Sequence, residues 1–218
     1  MVKLAASISA ASFLNIQETI STIENAGIDI IHFDIEDGSF TPQLNLGIKI
    51  ISDVRKICTL PFDVHLMVNN PEWLISPLAE YGVNMISVHY EACPYPRRTL
   101  RKIQDFGIQA GLAFNPISTI PHIKTLMPYL NFILVLSTEP EDGQQNYIPE
   151  VLEKIRLGKE QEGAREIIWE IDGGINKENL EEVIKAGADI IVSGRAIFEQ
   201  GEIRTNIEEF KRTIDLIN

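Results

Sequence analysis

The sequence predicts an α/β fold, a single (β/α)8 TIM barrel spanning residues 1–218. Three observations carry that prediction. One unit recurs along the chain: a helix-like stretch, a glycine suited to a helix C-cap, and a short β-rich run. It is plainest in NAGIDIIHFD, EYGVNMISVHY, DFGIQAGLAF and KAGADIIVSG. The β-rich runs are nearly continuous in apolar residues, as strands of a parallel sheet covered on both faces must be. No shift of composition and no Gly/Ser-rich linker divides the chain, so the units belong to one barrel. A doubly wound open sheet is the competing fold, and the GxGxxG after strand one that would favour it is absent.

Taken in order, the first strand lies in KLAASIS (3–9), and the second follows Gly27 and opens on Ile30. PFDVHLM (61–67) is the third, and the fourth and fifth follow Gly82 and Gly107. NFILVLS (131–137) is the sixth, EIIWEID (166–172) the seventh, and the run after Gly187 the eighth. Amphipathic stretches such as IPEVLEKI and ENLEEVIKA alternate with them. The longest loop of low hydrophobicity, STEPEDGQQNY (137–147), follows strand six, at the end of a barrel where chemistry is found.

Bulk properties narrow the function. A net charge of −12 argues against nucleic-acid and anionic-membrane surfaces, yet leaves room for a locally positive site that takes an anionic substrate. No apolar run approaches the ~20 residues that span a bilayer. The start, MVKLAASISAASF, lacks the cationic-then-apolar order of a secretory signal. Cys58 and Cys93 sit in no CxxC and read as reduced structural thiols, so a cytoplasmic protein is expected.

Polar residues gather where the strands end. In IIHFDIEDGSF, His32, Asp34 and Glu36 fall at every second position and share one face of strand two. Ser7 ends strand one, His65 sits in DVHLM and Asp172 in IDGGI. Two imidazoles and two carboxylates from three strands, His32, Asp34, His65 and Asp172, are a sensible ligand set for a divalent transition metal. Gly173 and Gly174 open what reads as the helix after strand seven, and Gly194 opens a helical turn after strand eight. Loops in these places often bind phosphate through backbone N–H groups.

The stretches HFDIEDGSFTPQLNLG, DVHLMVNNP, VHYEACP, GLAFNP, STEPEDGQQNYIPEVLEKI, EIDGGIN and VSGRAIF together resemble the ribulose-phosphate 3-epimerase family. The likeness runs in order from about residue 4 to 198. It implies a (β/α)8 barrel that epimerises C3 of a ketose phosphate, chiefly D-ribulose 5-phosphate to D-xylulose 5-phosphate. It also implies a homo-oligomer and one divalent metal (Zn, Fe, Mn or Co) on His32, Asp34, His65 and Asp172. Proton removal beside a ketone needs a base and a Lewis acid, and inversion at C3 needs a second group on the other face. Asp34 is read as the base in the ribulose direction and Asp172 as its partner. Ser7 matches the serine that helps to orient substrate, although Ala6 replaces the proline before it. His89, at the end of strand four, reads either as a residue that supports the site's ligands or lines the pocket, or as a core histidine, and His122 as a surface residue.

Departures from the family pattern fall on substrate contacts. Glu36 stands where the family usually has methionine, Met67 keeps a second methionine of its apolar cushion, and Leu136 replaces a third. The family's PGFGGQ phosphate loop is PEDGQQ at 140–145, with Gly143, Gln144 and Gln145 as candidate contacts. GSAIF has become GRAIF, which places Arg195 beside the expected phosphate. Either the same substrate or a related pentulose or hexulose phosphate is compatible with these changes. The DxKxxD of decarboxylase-type phosphate barrels is missing, because DIEDGS has no lysine. The HxH of metal-dependent hydrolases is absent from LAASISA. A non-catalytic sugar-phosphate sensor would have no reason to keep two opposed carboxylates beside two histidines.

Overall fold

The computed structural model describes residues 1–139, 146–161, 163, 166–199 and 202–217. Its strands are β1 (Lys3–Ser7), β2 (Ile30–Glu36), β3 (Phe62–Met67), β4 (Met85–His89), β5 (Gln109–Phe114), β6 (Phe132–Leu136), β7 (Ile168–Asp172) and β8 (Ile190–Ser193). They close into one parallel barrel in chain order, with β8 pairing back to β1. The (β/α)8 expectation is met.

The alternation of β2 explains why so apolar a strand forms. Ile31, Phe33 and Ile35 face outward into the core shared with the helices, while Ile30 packs inside the barrel with Ala5, Met85, Phe132 and Ile190. Gly111 leaves room for Phe132, whose ring carbons lie 2.3–2.6 Å from where a Cβ would sit. This apolar plug closes the barrel below the polar side chains. Between the strands run α1 (Ile16–Asn25), α2 (Lys49–Arg55), α3 (Ile75–Glu80), α4 (Pro96–Gln104), α5 (Leu152–Lys159) and α6 (Leu180–Ala186). The short α7 (Arg195–Phe198) follows β8, and α8 (Ile203–Ile217) buries Ile207, Phe210 and Ile214 against α1, α6 and α7. The recurring glycines of the sequence do end their units in the left-handed region, at φ 84°, 73°, 75° and 98° for Gly27, Gly82, Gly107 and Gly187.

Two local expectations are corrected. Between β5 and β6 there is no α-helix but two 3-10 turns, Ile123–Thr125 and Met127–Tyr129. Pro116, Pro121 and Pro128 remove backbone donors along that stretch and break any longer helix. Gly173 and Gly174 do not open a helix either, since α6 starts only at Leu180. An asparagine turn intervenes: Asn176 Oδ1 accepts from the N–H groups of Glu178 and Asn179 at 2.8 and 3.2 Å. Cys58 and Cys93 are free and buried. Among the described residues no helix is long and apolar enough to cross a membrane.

Candidate active site

Strand register builds the site. In the β2–β3 pair, His32 lies beside Asp63, Asp34 beside His65, and Glu36 beside Met67, so each histidine is set against a carboxylate. Side chains at alternate positions point into the barrel, and Asp172 joins them from β7. His32, Asp34, His65 and Asp172 each offer one ligand atom, all within 4.8 Å of one another. Asp34 Oδ1 is 3.1 Å from His32 Nε2 and 3.4 Å from His65 Nδ1, while Asp172 Oδ2 is 3.8 and 3.9 Å from the same two nitrogens. Among the described residues, His65 Nδ1 is buried without a hydrogen-bond partner. An orphaned imidazole nitrogen facing two carboxylate oxygens and a second imidazole is what a nitrogen/oxygen site for a divalent metal presents. The residues fit such an ion.

The groups around this cluster hold it in place. Ser7 and Ser9 donate their hydroxyls to Asp34 Oδ2 at 2.7 and 2.9 Å, which leaves Oδ1 turned toward the histidines. His32 Nδ1 meets Asp63 Oδ2 at 2.6 Å, and Glu170 lies below with Oε1 3.8 Å from the same nitrogen. Behind Asp172, Ser137 donates its N–H (2.7 Å) and hydroxyl (2.9 Å) to the Asp172 carbonyl.

These surroundings push the acids apart. Burial alone would raise Asp34, but His32 and His65 outweigh it and hold its carboxyl well below the usual carboxylate range. Asp172 goes the other way, to about 6, through burial and then the charge of Asp34. Burial would lower His32, yet Asp34 and Asp63 on its two sides raise it well above its ordinary value. Glu170 is fully buried, and burial beside Asp63 keeps its carboxyl protonated far above the normal range. Burial and then the Asp34 charge raise Glu36, although an Asn45 side-chain hydrogen bond and His65 pull it back.

Above the cluster opens a cavity of about 950 Å³. Ser7, Met67, Gly173, Gly174, Gly194 and Arg195 all line it. Gly173 has φ +114°, and a Cβ there would lie 2.9 Å from the Thr138 backbone nitrogen, so only glycine fits. Arg195 is the first residue of α7 and is exposed. Gly143, Gln144 and Gln145 lie outside the described residues. The cations among the described lining residues are Lys177 and Arg195, both after β7 and β8, where barrels commonly bind phosphate. His89 is fully buried and touches His65, and His122 is exposed.

Sequence reading missed Ser9, Asp63 and Glu170. The signal for the last two was available: Asp63 precedes His65, and Glu170 precedes Asp172, by the same two-residue step that linked His32 to Asp34. The Ser9 contact depends on the 3-10 turn Ile8–Ala10, where the sequence predicts a continuing strand.

Comparison with known proteins now decides the family. The Ribulose-phosphate 3 epimerase family matches residues 3–198. The chain belongs to that family. It is 37% identical over 214 residues to ribulose-phosphate 3-epimerase of Bacillus subtilis, covering 97% of this chain and 99% of that one. The Escherichia coli K12 epimerase is 36% identical over 211 residues, covering 95% and 94%. The protein is therefore an isomerase, an epimerase acting on carbohydrate. Among solved structures, a ligand complex of KGPDC from Streptococcus mutans superposes with a TM-score of 0.78 at 12% identity, covering 99% and 98%. 3-Hexulose-6-phosphate synthase from Salmonella typhimurium gives 0.75 at 11%, covering all of both chains. These last two likenesses establish the fold alone.

Proposed function

We propose that this epimerase inverts C3 of a ketose phosphate, with D-ribulose 5-phosphate and D-xylulose 5-phosphate as its pair, and that it does so with a divalent metal. The observation that carries the reading is the pairing of Asp34 and Asp172. They reach one pocket from β2 and β7, three places apart in the closed ring, and their environments push their proton affinities in opposite directions. Two carboxylates poised in this way serve as base and acid on opposite faces of a planar intermediate. Asp34, held ionised, takes the C3 proton in the ribulose direction. The Ser7 and Ser9 hydroxyls fix its Oδ2. Asp172, which holds a proton closer to neutrality, delivers one to the other face.

His32, Asp34, His65 and Asp172 would hold the metal, and the chemistry it supplies when bound is Lewis acidity for the ketone and the adjoining hydroxyl oxygens. Backbone N–H groups at Gly173, Gly174 and Gly194, with Arg195, receive the phosphate. Met67 and Leu136 line the cavity and keep water from the reacting carbons. Wash-in of solvent deuterium at C3 tests the reaction. Incubation of D-ribulose 5-phosphate in deuterated water should give xylulose 5-phosphate carrying deuterium at C3. Absence of both epimer and exchange, with every ketose phosphate offered, would end the reading.

One observation favours a second substrate of the same class. Glu36 is 8% exposed, lines the cavity, and has Oε2 buried without a partner among the described residues. An unpaired acceptor in a substrate pocket selects for a ligand hydroxyl that fills it. A pentulose or hexulose phosphate with a hydroxyl placed against Glu36 would then be preferred over D-ribulose 5-phosphate, and relative kcat/KM over a panel of ketose phosphates separates the two.

A further inference from the structure

A chain of three side chains leads away from the candidate metal site through the barrel wall. His65 Nε2 and His89 Nε2 face each other at 2.8 Å, and His89 Nδ1 faces Glu91 Oε2 at 3.1 Å. The two ring centroids are 4.9 Å apart with planes inclined by 27°. That separation is close to the nitrogen–nitrogen distance plus two ring radii, so the rings meet edge to edge, as a hydrogen bond requires. Phe40 packs on His89 with centroids 4.5 Å apart, and Glu91 is itself anchored by the Asn115 N–H at 2.9 Å.

With both rings neutral and His65 Nδ1 left bare for an ion, one distribution of protons satisfies these contacts. Two facing imidazole nitrogens at hydrogen-bond distance share a single proton, so one ring donates and the other accepts. If His89 donated from Nε2 as a neutral ring, its Nδ1 lone pair would face the Glu91 carboxylate, lone pair against lone pair. A doubly protonated His89 would place a full charge on a completely buried ring, which its one carboxylate neighbour, partly open to solvent, offsets poorly. His89 therefore carries its proton on Nδ1 and donates to Glu91. Its Nε2 accepts from His65, and the proton of His65 lies on Nε2. The bare nitrogen of His65 is then Nδ1, the orphaned atom aimed at Asp34 and Asp172.

We propose that His89 and Glu91 are positioning residues that lock His65 in the tautomer whose Nδ1 can ligate a metal. The proposal rests on the metal-dependent reading above. It gives His65 the counterpart of what Asp63 does for His32, a fixed partner behind the ring that sets which nitrogen faces the ion. The carboxylate at the far end makes the choice, since without it His89 has no preference between its two ring nitrogens.

The chain has four histidines, so long-range 1H–15N correlation spectra of histidine-labelled full-length protein can be assigned and read the tautomers directly. In metal-free protein His65 should carry its proton on Nε2, and His89 on Nδ1. The reverse at either ring overturns the proposal. Zn2+ affinity by chelator competition is the second arm. His89→Phe keeps a ring but no acceptor, and should weaken Zn2+ binding roughly 10–100-fold. His89→Gln, with an amide that accepts from His65 and donates to Glu91, should stay within a few fold of the native protein. Equal loss in both variants, or loss in neither, overturns the proposal. Glu91→Leu, at the exposed end of the chain, leaves the core ring in place and should turn His89 into a mixture of tautomers; an unchanged spectrum overturns it too. If native protein binds no Zn2+ at all, the metal reading fails by itself, and the tautomer spectra still decide the role of His89.

Discussion

Replacing Asp172 by asparagine should make the enzyme much slower and, without metal, more stable. The substitution keeps shape and removes only the carboxylate charge, and the backbone bonds from Ser137 to the Asp172 carbonyl are untouched. If Asp172 is one of the two proton-transfer groups, as proposed, it should contribute at least ~10²-fold to the rate. Stability follows from its raised pKa, from 3.8 to about 6, caused by burial and the Asp34 charge. The folded state then binds the proton more tightly than the unfolded chain, so ionising Asp172 opposes folding. The penalty is absent below about pH 4, grows as pH rises through about 6, and is complete at pH 8. A rise from 3.8 to about 6 corresponds to ~3 kcal/mol, and the slight exposure of the side chain reduces that to about 1–3 kcal/mol. In a protein of this length each kcal/mol moves Tm by roughly 2–4 °C. Chelated Asp172→Asn should therefore melt several degrees above chelated native protein at pH 8, with the gap closing toward pH 4.

Thermal melts of both proteins across this pH range, and turnover with saturating divalent metal, test the two halves separately. Near-normal turnover would show that Asp172 moves no proton. A variant that melts lower at pH 8 would refute the charge argument, because folding would then favour the ionised carboxylate rather than oppose it.

The other predictions concern the metal and the substrate contacts. Strong chelation should abolish activity and readdition of a divalent ion restore it; full activity in verified metal-free protein would defeat the ligand assignment. Because His32 is protonated above its ordinary range in the metal-free site, Zn2+ binding near neutral pH should release about one proton. Calorimetry in buffers of different ionisation enthalpy reads that number, and zero release would contradict the His32 assignment. Arg195→Ser should raise KM for phosphorylated ketoses, lowering kcat/KM roughly ten- to hundredfold with kcat changed less, as loss of a charge-assisted hydrogen bond implies. An unchanged KM would place Arg195 off the phosphate. Glu36→Met should reorder the kcat/KM ranking across ketose phosphates by about tenfold; a ranking that does not move means Glu36 touches no substrate hydroxyl.

How far the sequence could be read depends on the kind of signal each residue leaves. The barrel was legible because alternation and helix-ending glycines are local, and Gly27, Gly82, Gly107 and Gly187 adopt the left-handed conformation that their places in the repeat suggest. The β5–β6 segment departs because its prolines act against helix more strongly than its apolar residues act for it. His32, Asp34, His65 and Asp172 were legible as polar residues that interrupt otherwise apolar strand ends, and Gly173 and Gly194 as turn residues at barrel loops.

What the sequence hid is the layer beneath. Asp63 and Glu170 sit deeper in their strands, where a reading that expects function at strand ends assigns core. Both are completely buried. Two isolated charged carboxylates at that depth would be prohibitive. Asp63 is set against the His32 ring at 2.6 Å, while Glu170 keeps its proton and so adds no charge of its own. That arrangement needs the β2–β3 register, which no single strand records: His32 lies beside Asp63 only because Asp34 lies beside His65. A one-residue slip would turn the inward side chains of β3 away from the barrel, separating both pairs at once. The same register that aims the candidate ligands thus makes their buried support tolerable, so supporting layer and site are parts of one piece of barrel wall.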